Sequence, residues 1–279
     1  MALLSSGAAG ILRPEEIGEL VVQPVQRQSV AMQVSTVVPT MSASFRIPII
    51  TADSSAAWTP EGEEITPTNP GVDELDIVPK KLAALTIISN ELANDSSPEA
   101  QQVVGDSIAR DIARKVDAAY FVNTTLNGPD GIASVAGAQL VDGGGAYTNT
   151  DPFAEALSKA EVVGANITAW VAHPDTVLTL SKLKIGTGYN LPLFGPDVSV
   201  PTGRSILGRP LYWAPTVAEG VVWGIPQDRA YVILRNDVDL VVDQSAYFSK
   251  DSVGIRATMR IGFGWPHEQA VVKVAAGGS

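Results

Sequence analysis

The stretch from residue 45 to residue 88 constrains this chain most. Two strand-like arms, 45–58 and 75–88, flank a tip rich in Pro, Gly and carboxylates. From Thr51 to Pro79 there are seven acidic residues (Asp53, Glu61, Glu63, Glu64, Asp73, Glu74 and Asp76) and no basic one. A lone two-stranded hairpin buries too little apolar surface to be stable in water. Such an arm must lie on something else, which points to a protein that holds its neighbours.

The rest of the chain can supply the body for that arm. Its 279 residues are enough for one large or two modest domains with a real core. With 45% hydrophobic and 18% charged residues it reads as globular, neither disordered nor coiled coil. There is no Cys, so disulfides and thiolate chemistry are excluded. The net charge of −11 argues against broad binding to nucleic acid phosphates. Neither a signal peptide nor a run of about 18–20 apolar residues is visible, so a soluble protein without a membrane partner is expected.

Along the chain, residues 1–40 read as an arm with too few apolar residues for a core. A short helix is expected after Pro14, broken at Pro24, with 33–38 extended. Ser97, Pro98 and Glu99 form a helix start. The spacing of Val104, Ile108, Ile112, Val116 and Tyr120 predicts a helix to about Asn123 with one apolar stripe. Asp106 with Arg110, and Asp111 with Lys115, offer four-residue ion pairs on it. Residues 124–150 read as turns and short strands. Helices follow from Asp151 to near Gly164 and from Pro174 to near Gly186, around a buried strand at 168–172. A long Gly- and Pro-rich loop covers 184–203. Strands are expected at 211–213, 221–223, 230–234 and 238–242. The clearest runs over 253–262, where Val253, Ile255, Ala257, Met259 and Ile261 alternate with Arg256 and Arg260. A last strand covers 270–274.

Candidates for catalysis are few. His173 precedes Pro174 at a helix start, where a capping role accounts for it. His267 beside Glu268 offers a dyad, but no Gly-flanked Ser of the nucleophile-elbow kind occurs. The glycines of GTG (186–188) and GFG (262–264) lack phosphate-cradling spacing and read as loops and a bulge. Glu61–Glu64 lacks the spacing of a calcium loop. No enzyme, cofactor or metal site is implied.

Taken in order, these segments resemble the tailed-bacteriophage major capsid proteins of the Hong Kong 97-type fold. RPEEIGELVVQPVQRQSVAMQVSTVVP (13–39) resembles the family's N-arm, and AWTPEGEEITPTNPGVDELDIVPKKLAALTIISNELANDS (57–96) its extended E-loop and return strand. SPEAQQVVGDSIARDIARKVDAAYFVN (97–123) is similar to the spine helix, and NGPDGIASVAG (127–137) to the turn after it. TAWVAHPDTVLTLSKLKIGTGYNLPLF (168–194), ILGRPLYWAP (206–215) and VVWGIPQDRAYVI (221–233) resemble the axial domain. DSVGIRATMRIGFGWPHEQAVVKV (251–274) resembles the closing strands.

The resemblance implies an α+β fold with an N-arm at 1–40, E-loop and return strand at 41–96 and a peripheral domain with spine helix at 97–150. The axial domain would follow at 151–243 and the closing peripheral strands at 244–279. It implies a structural protein that self-assembles into pentamers and hexamers of an icosahedral virion shell in the host bacterial cytoplasm. That shell encloses double-stranded DNA without reading its sequence, with portal, separate scaffolding and decoration proteins as further partners. The E-loop contacts would be Trp58, Glu61, Glu63, Glu64, Ile65, Asp73, Glu74 and Asp76. Their basic partners would be Arg110, Arg114, Lys115, Arg256 and Arg260. Lys184, Tyr189, Asn190 and Phe194 would belong to the axial loop. An encapsulin-type compartment shell is the alternative within the fold, and a small hydrolase using His267 and Glu268 is the alternative outside it. Two family features are expected to be missing. Only about ten residues precede the N-arm match, too few for a scaffolding segment. Lys80 and Lys81 lie on the arm, but residues 245–279 hold no Asn with which an E-loop Lys could crosslink.

Overall fold

The computed structural model describes residues 23–52, 56, 58–62, 64, 67–89, 98–186, 188–195, 201–243 and 245–277. Two short helices, α1 (Gln23–Gln28) and α2 (Val30–Val34), lead into strand β1 (Thr36–Thr40). A hairpin of β2 (Phe45–Ala52) and β3 (Gly71–Ile77) follows, then β4 (Lys80–Ser89). The long helix α3 (Pro98–Phe121) spans about 36 Å at 1.5 Å per residue. Its stripe of Ile108, Ile112, Val116 and Tyr120 is buried, together with Ala109 and Ala113.

That stripe lies in a core shared with a four-stranded sheet ordered β1–β10–β11–β4, where β10 is Tyr231–Asp243 and β11 is Ser252–Gly264. The expected alternation along β11 holds: Val253, Ala257, Met259 and Ile261 are buried and Arg256 is exposed. Tyr120 anchors this core, with its ring 5.0 Å from Phe263 and 5.5 Å from Trp265. Burial pushes its hydroxyl up to about 12, against the opposing hydrogen bond to Ser35.

A second core surrounds a six-stranded sheet ordered β5–β12–β9–β6–β8–β7. These strands are β5 (Gln139–Asp142), β6 (Ala169–Ala172), β7 (Ser205–Ile206), β8 (Arg209–Trp213), β9 (Val221–Ile225) and β12 (Val272–Ala275). All four residues of β6 are buried, and the Trp170 Nε1–H donates to the Ile206 carbonyl at 3.1 Å. Helix α4 (Asp151–Val162) lays Phe153, Ala156 and Ala160 on this sheet, and α5 (Pro174–Lys182) adds Val177 and Leu180.

Several expectations are corrected. Residues 75–88 are not one arm: Val78 and Pro79 end β3, and β4 instead pairs along β11, from Ser252↔Ser89 to Ile261↔Lys80. Residues 33 and 34 are helical rather than extended, and Pro24 sits in the first turn of α1, where its missing N–H is harmless. The N-terminal segment does contribute to a core, since Val25, Ala31, Met32 and Val34 are buried beside α3. The expected strands at 230–234 and 238–242 are one strand with a register shift between Arg235 and Asp239. Helix α5 stops at Lys182, and GFG at 262–264 lies within β11. In the two larger sheets, β10 joins β11 and β4, while β5 and β12 join β6, β8 and β9. The helix at Pro14 lies outside the described residues.

Candidate assembly surfaces

The hairpin pairs antiparallel, from Phe45↔Ile77 to Ile50↔Val72, then shifts register before Ala52↔Gly71. Its tip turns at Glu61 and Gly62, where a φ of 90° suits glycine. Trp58 is fully exposed, and Glu61, Glu64, Asp73, Glu74 and Asp76 are exposed too. Glu63 and Ile65 lie outside the described residues. One carboxylate is already matched within the arm, since Glu74 Oε2 lies 3.4 Å from Arg46 Nη1. Both side chains are well exposed, so the pair adds little stability.

The arm is aimed from its root. Ile77, almost fully buried, lies over Gly262 and Gly264 of β11. A Cβ on Gly262 would come within 2.7 Å of Ile77 Cγ2, and one on Gly264 would collide with Ile77 Cδ1. The two glycines therefore form the seat of the hairpin. Sequence reading took them for a bulge because their role appears only when β3 crosses β11.

The basic candidates fall in two places. Arg110, Arg114 and Lys115 are exposed on α3. Neither Asp106–Arg110 nor Asp111–Lys115 is among the ion pairs of the described residues, whereas Glu155 and Lys159 on α4 do pair at 3.0 Å. Arg256 and Arg260 lie on β11, and Arg260 stands between Lys81 of β4 and Arg235 of β10 in register. Like charges set directly across strands repel. Lys81, Arg260 and Arg235 thus stand in one row across three strands of the sheet. Nearby, hydrogen bonds from Ser245, with a smaller contribution from Arg256, hold Asp243 below the usual carboxylate range.

In the 184–195 loop, Lys184 Nζ donates to the Asn190 carbonyl at 3.2 Å, and Tyr189 is exposed. Phe194 packs edge-on against Phe153, with ring centroids 6.1 Å apart. His173 is the N-cap of α5, its Nδ1 accepting from the Asp175 N–H at 3.2 Å. His173, Asp175 and Glu219 bring ligand atoms within 4.8 Å of one another. The positive end of α5 accounts for these carboxylates without a cation. Glu268 Oε2 accepts from the Gly137 N–H at 2.7 Å, a structural use of the carboxylate once paired with His267 as a dyad. No helix among the described residues is long and apolar enough to cross a membrane.

One site escaped sequence reading. Asp117 projects from α3 toward the start of α2. Its Oδ1 accepts from the Ser29 hydroxyl at 2.7 Å and the Ala31 N–H at 3.0 Å, and its Oδ2 from the Val30 N–H at 3.1 Å. Burial nonetheless raises its pKa above the ordinary value, outweighing these donors. The signal was an acid three residues before Tyr120, on the helix's buried side. The N-terminal segment is stapled to α3 by this carboxylate.

Known proteins share this architecture. The capsid of an empty GTA particle matches over 99% of this chain and 94% of its own, with a TM-score of 0.74 at 18% identity. The Gordonia phage Cozz structure matches over 90% and 87%, with a TM-score of 0.69 at 18% identity. The fold is thus the mixed helix-and-strand fold of phage major capsid proteins, of the Hong Kong 97 type. The model of the phage capsid family matches residues 9–276, and the chain belongs to that family. Membership makes it a structural capsid protein and does not favour the encapsulin-type alternative. A capsid polyprotein of Pseudomonas phage PAJU2 is 23% identical over 224 residues, 75% of this chain. The chain spans about a third of the length of that curated relative, 32%.

Proposed function

We propose that this chain is the major capsid subunit of a tailed double-stranded DNA phage, closing as pentamers and hexamers into an icosahedral shell around the genome. Its partners are copies of itself, with portal, scaffolding and decoration proteins joining the same shell. The observation that carries this reading is the exposed hairpin: an acidic arm rooted on β11, with a bare Trp58 and with Glu61, Glu64, Asp73, Glu74 and Asp76 all exposed. Residues 41–77 act as the E-loop, α3 as the spine helix, and the cations of α3 and β11 as its receiving surfaces on a neighbour. Exposed ion pairs contribute about 0–1 kcal/mol each, and a shell repeats them in every subunit. Weak single contacts let misplaced subunits leave before closure.

Electron microscopy of the expressed protein tests this reading directly. Closed particles tens of nanometres across are expected, and a compact monomer under all assembly conditions would refute it. Reversing Glu61, Glu63 and Glu64 to Lys should lower particle yield about tenfold or more while leaving the melting temperature unchanged. At about 0.5 kcal/mol per lost pair, three pairs suffice. A gradient profile like that of the parent would contradict the arm's role.

A second expectation concerns covalent linkage. Lys81 stands opposite Arg260 and Lys80 opposite Ile261 within the sheet, and residues 245–279 contain no Asn. Boiled particles should run as single chains on a denaturing gel, and a ladder of oligomers would show that linkage occurs.

A further inference from the structure

Strand β4 ends the four-stranded sheet. It pairs with β11 from Lys80 to Ser89 without a register shift, and among the described residues no strand pairs with its other side. Natural sheets blunt such an edge with charge, proline or a bulge. Here Lys80 and Lys81 sit together at one end, and residues 82–89 carry neither charge nor proline. Leu82 and Ala84 pack against the core. Ala83, Leu85 and Ile87 alternate onto the opposite face and are exposed, Leu85 by 59% and Ile87 by 50%. Along the same edge runs a groove of about 580 Å³, lined by Ala84 and Thr86 of β4 and by Ile108, Arg110, Asp111 and Arg114 of α3.

We propose that β4 pairs antiparallel with β4 of a second copy across a two-fold axis, joining the two four-stranded sheets edge to edge. This contact rests on the shell-subunit reading and supplies what rings alone lack. Pentamers and hexamers close through one surface meeting a different surface on the next copy, which yields separate rings. A shell also needs contacts between rings, and a two-fold contact, in which one patch meets itself, provides them. An open antiparallel edge is self-complementary in that sense. Pairing centred on Leu85 sets Leu85 against its counterpart and Ala83 against Ile87, and carries the lysines of the two copies to opposite ends. The groove suits a self-contact as well, because it holds both signs of charge, Asp111 beside Arg110 and Arg114. The hairpin is the poorer occupant. Its β3 carries exposed Asp73, Glu74 and Asp76, which would lie against Leu85 and Ile87, and Pro48 of β2 has no N–H to donate.

The chain has no Cys, so a single introduced Cys links only to its own counterpart. Directly opposed residues of an antiparallel pair have Cβ atoms about 4.5–5.5 Å apart, which a small adjustment brings into disulfide range. Protein carrying Leu85→Cys, assembled and then oxidised with diamide, should run as dimers and nothing larger on a non-reducing gel. Across single Cys variants at positions 83–87 the dimer fraction should peak at 85. Thr258→Cys, one strand further in on β11, should stay monomeric. A peak at another position, or no dimer at any of them, overturns the pairing. Leu85→Arg sets two guanidinium groups face to face and should lower the yield of closed particles about tenfold or more, leaving rings that sediment separately. Circular dichroism reports whether that variant folds, and the Cys series does not depend on it. Closed particles from folded Leu85→Arg at the parent yield would also overturn the contact. Dimers through position 85 in a protein that never builds particles would sink the shell reading and leave the β4 contact standing, whereas particles without those dimers would do the reverse.

Discussion

Asp117→Ala should destabilise the subunit by about 2–4 kcal/mol, the largest loss expected from any exchange of a polar side chain described above. The substitution removes three hydrogen bonds to one carboxylate and strands the Val30 and Ala31 N–H groups at the start of α2. Leaving buried donors unmet costs about 1–3 kcal/mol each. Asp117→Asn is the discriminating variant. Its amide oxygen can keep the Ser29 and Ala31 bonds, while its NH₂ faces the Val30 donor, so a loss of about 1 kcal/mol is expected. Chemical denaturation measures both, and protease sensitivity at residues 23–35 should rise in the Ala variant first. The pH dependence has a fixed sign. Because the folded pKa is raised, the folded subunit binds this proton more tightly than the unfolded chain. The stability from this group is complete below the ordinary carboxylate value and is lost as pH rises through the raised one. Asn at 117 should remove that segment of the pH–stability profile, and an unchanged profile would show that Asp117 does not titrate as described.

Why was this carboxylate missed while the helix bearing it was read correctly? Periodicity reports which side of an element is apolar, and the α3 stripe and the β11 alternation were legible for that reason. A single acid beside such a stripe carries no signal until a second segment brings its N–H groups within reach. The N-terminal residues failed for the same reason in reverse. Val25, Met32 and Val34 look too sparse to form a core, because the cluster they complete includes Ile112, Val116 and Tyr120, far along the chain on α3. The hairpin was legible from its charge and prolines, but its end was not. Continuous β propensity through residues 75–88 hides the change of partner at Pro79, where β3 leaves β2 and the chain crosses to β11. Residue type identified the chemistry of the arm, and only the fold could say where that chemistry meets its counterpart.

That change of partner makes the seat of the arm the most sensitive point for assembly. Gly264→Val should abolish particle formation while the subunit remains folded. A side chain at 264 meets Ile77 and Leu75: turning Ile77 Cδ1 aside does not clear it, because the added Cβ already lies 3.1 Å from Ile77 Cγ1 and 3.3 Å from Leu75 Cδ2, and valine's methyls reach further. The strain is released by moving β3, and a small rotation at the root displaces Trp58 and the acids by several ångströms at the far end of the hairpin. Overpacking of this sort costs about 1–3 kcal/mol, which a domain of this size tolerates. Geometry, rather than stability, is therefore what the variant loses. Shortening the colliding side chain should restore it: Gly264→Ala with Ile77→Val should form particles that Gly264→Ala with Ile77 intact forms poorly. Ile77→Val by itself should assemble normally, at a cost of about 0.5–1.5 kcal/mol. Negative-stain microscopy counts the particles and circular dichroism reports the fold. Abundant shells from Gly264→Val would mean that the arm is not aimed by this seat, and that its direction is set only when a neighbour captures it.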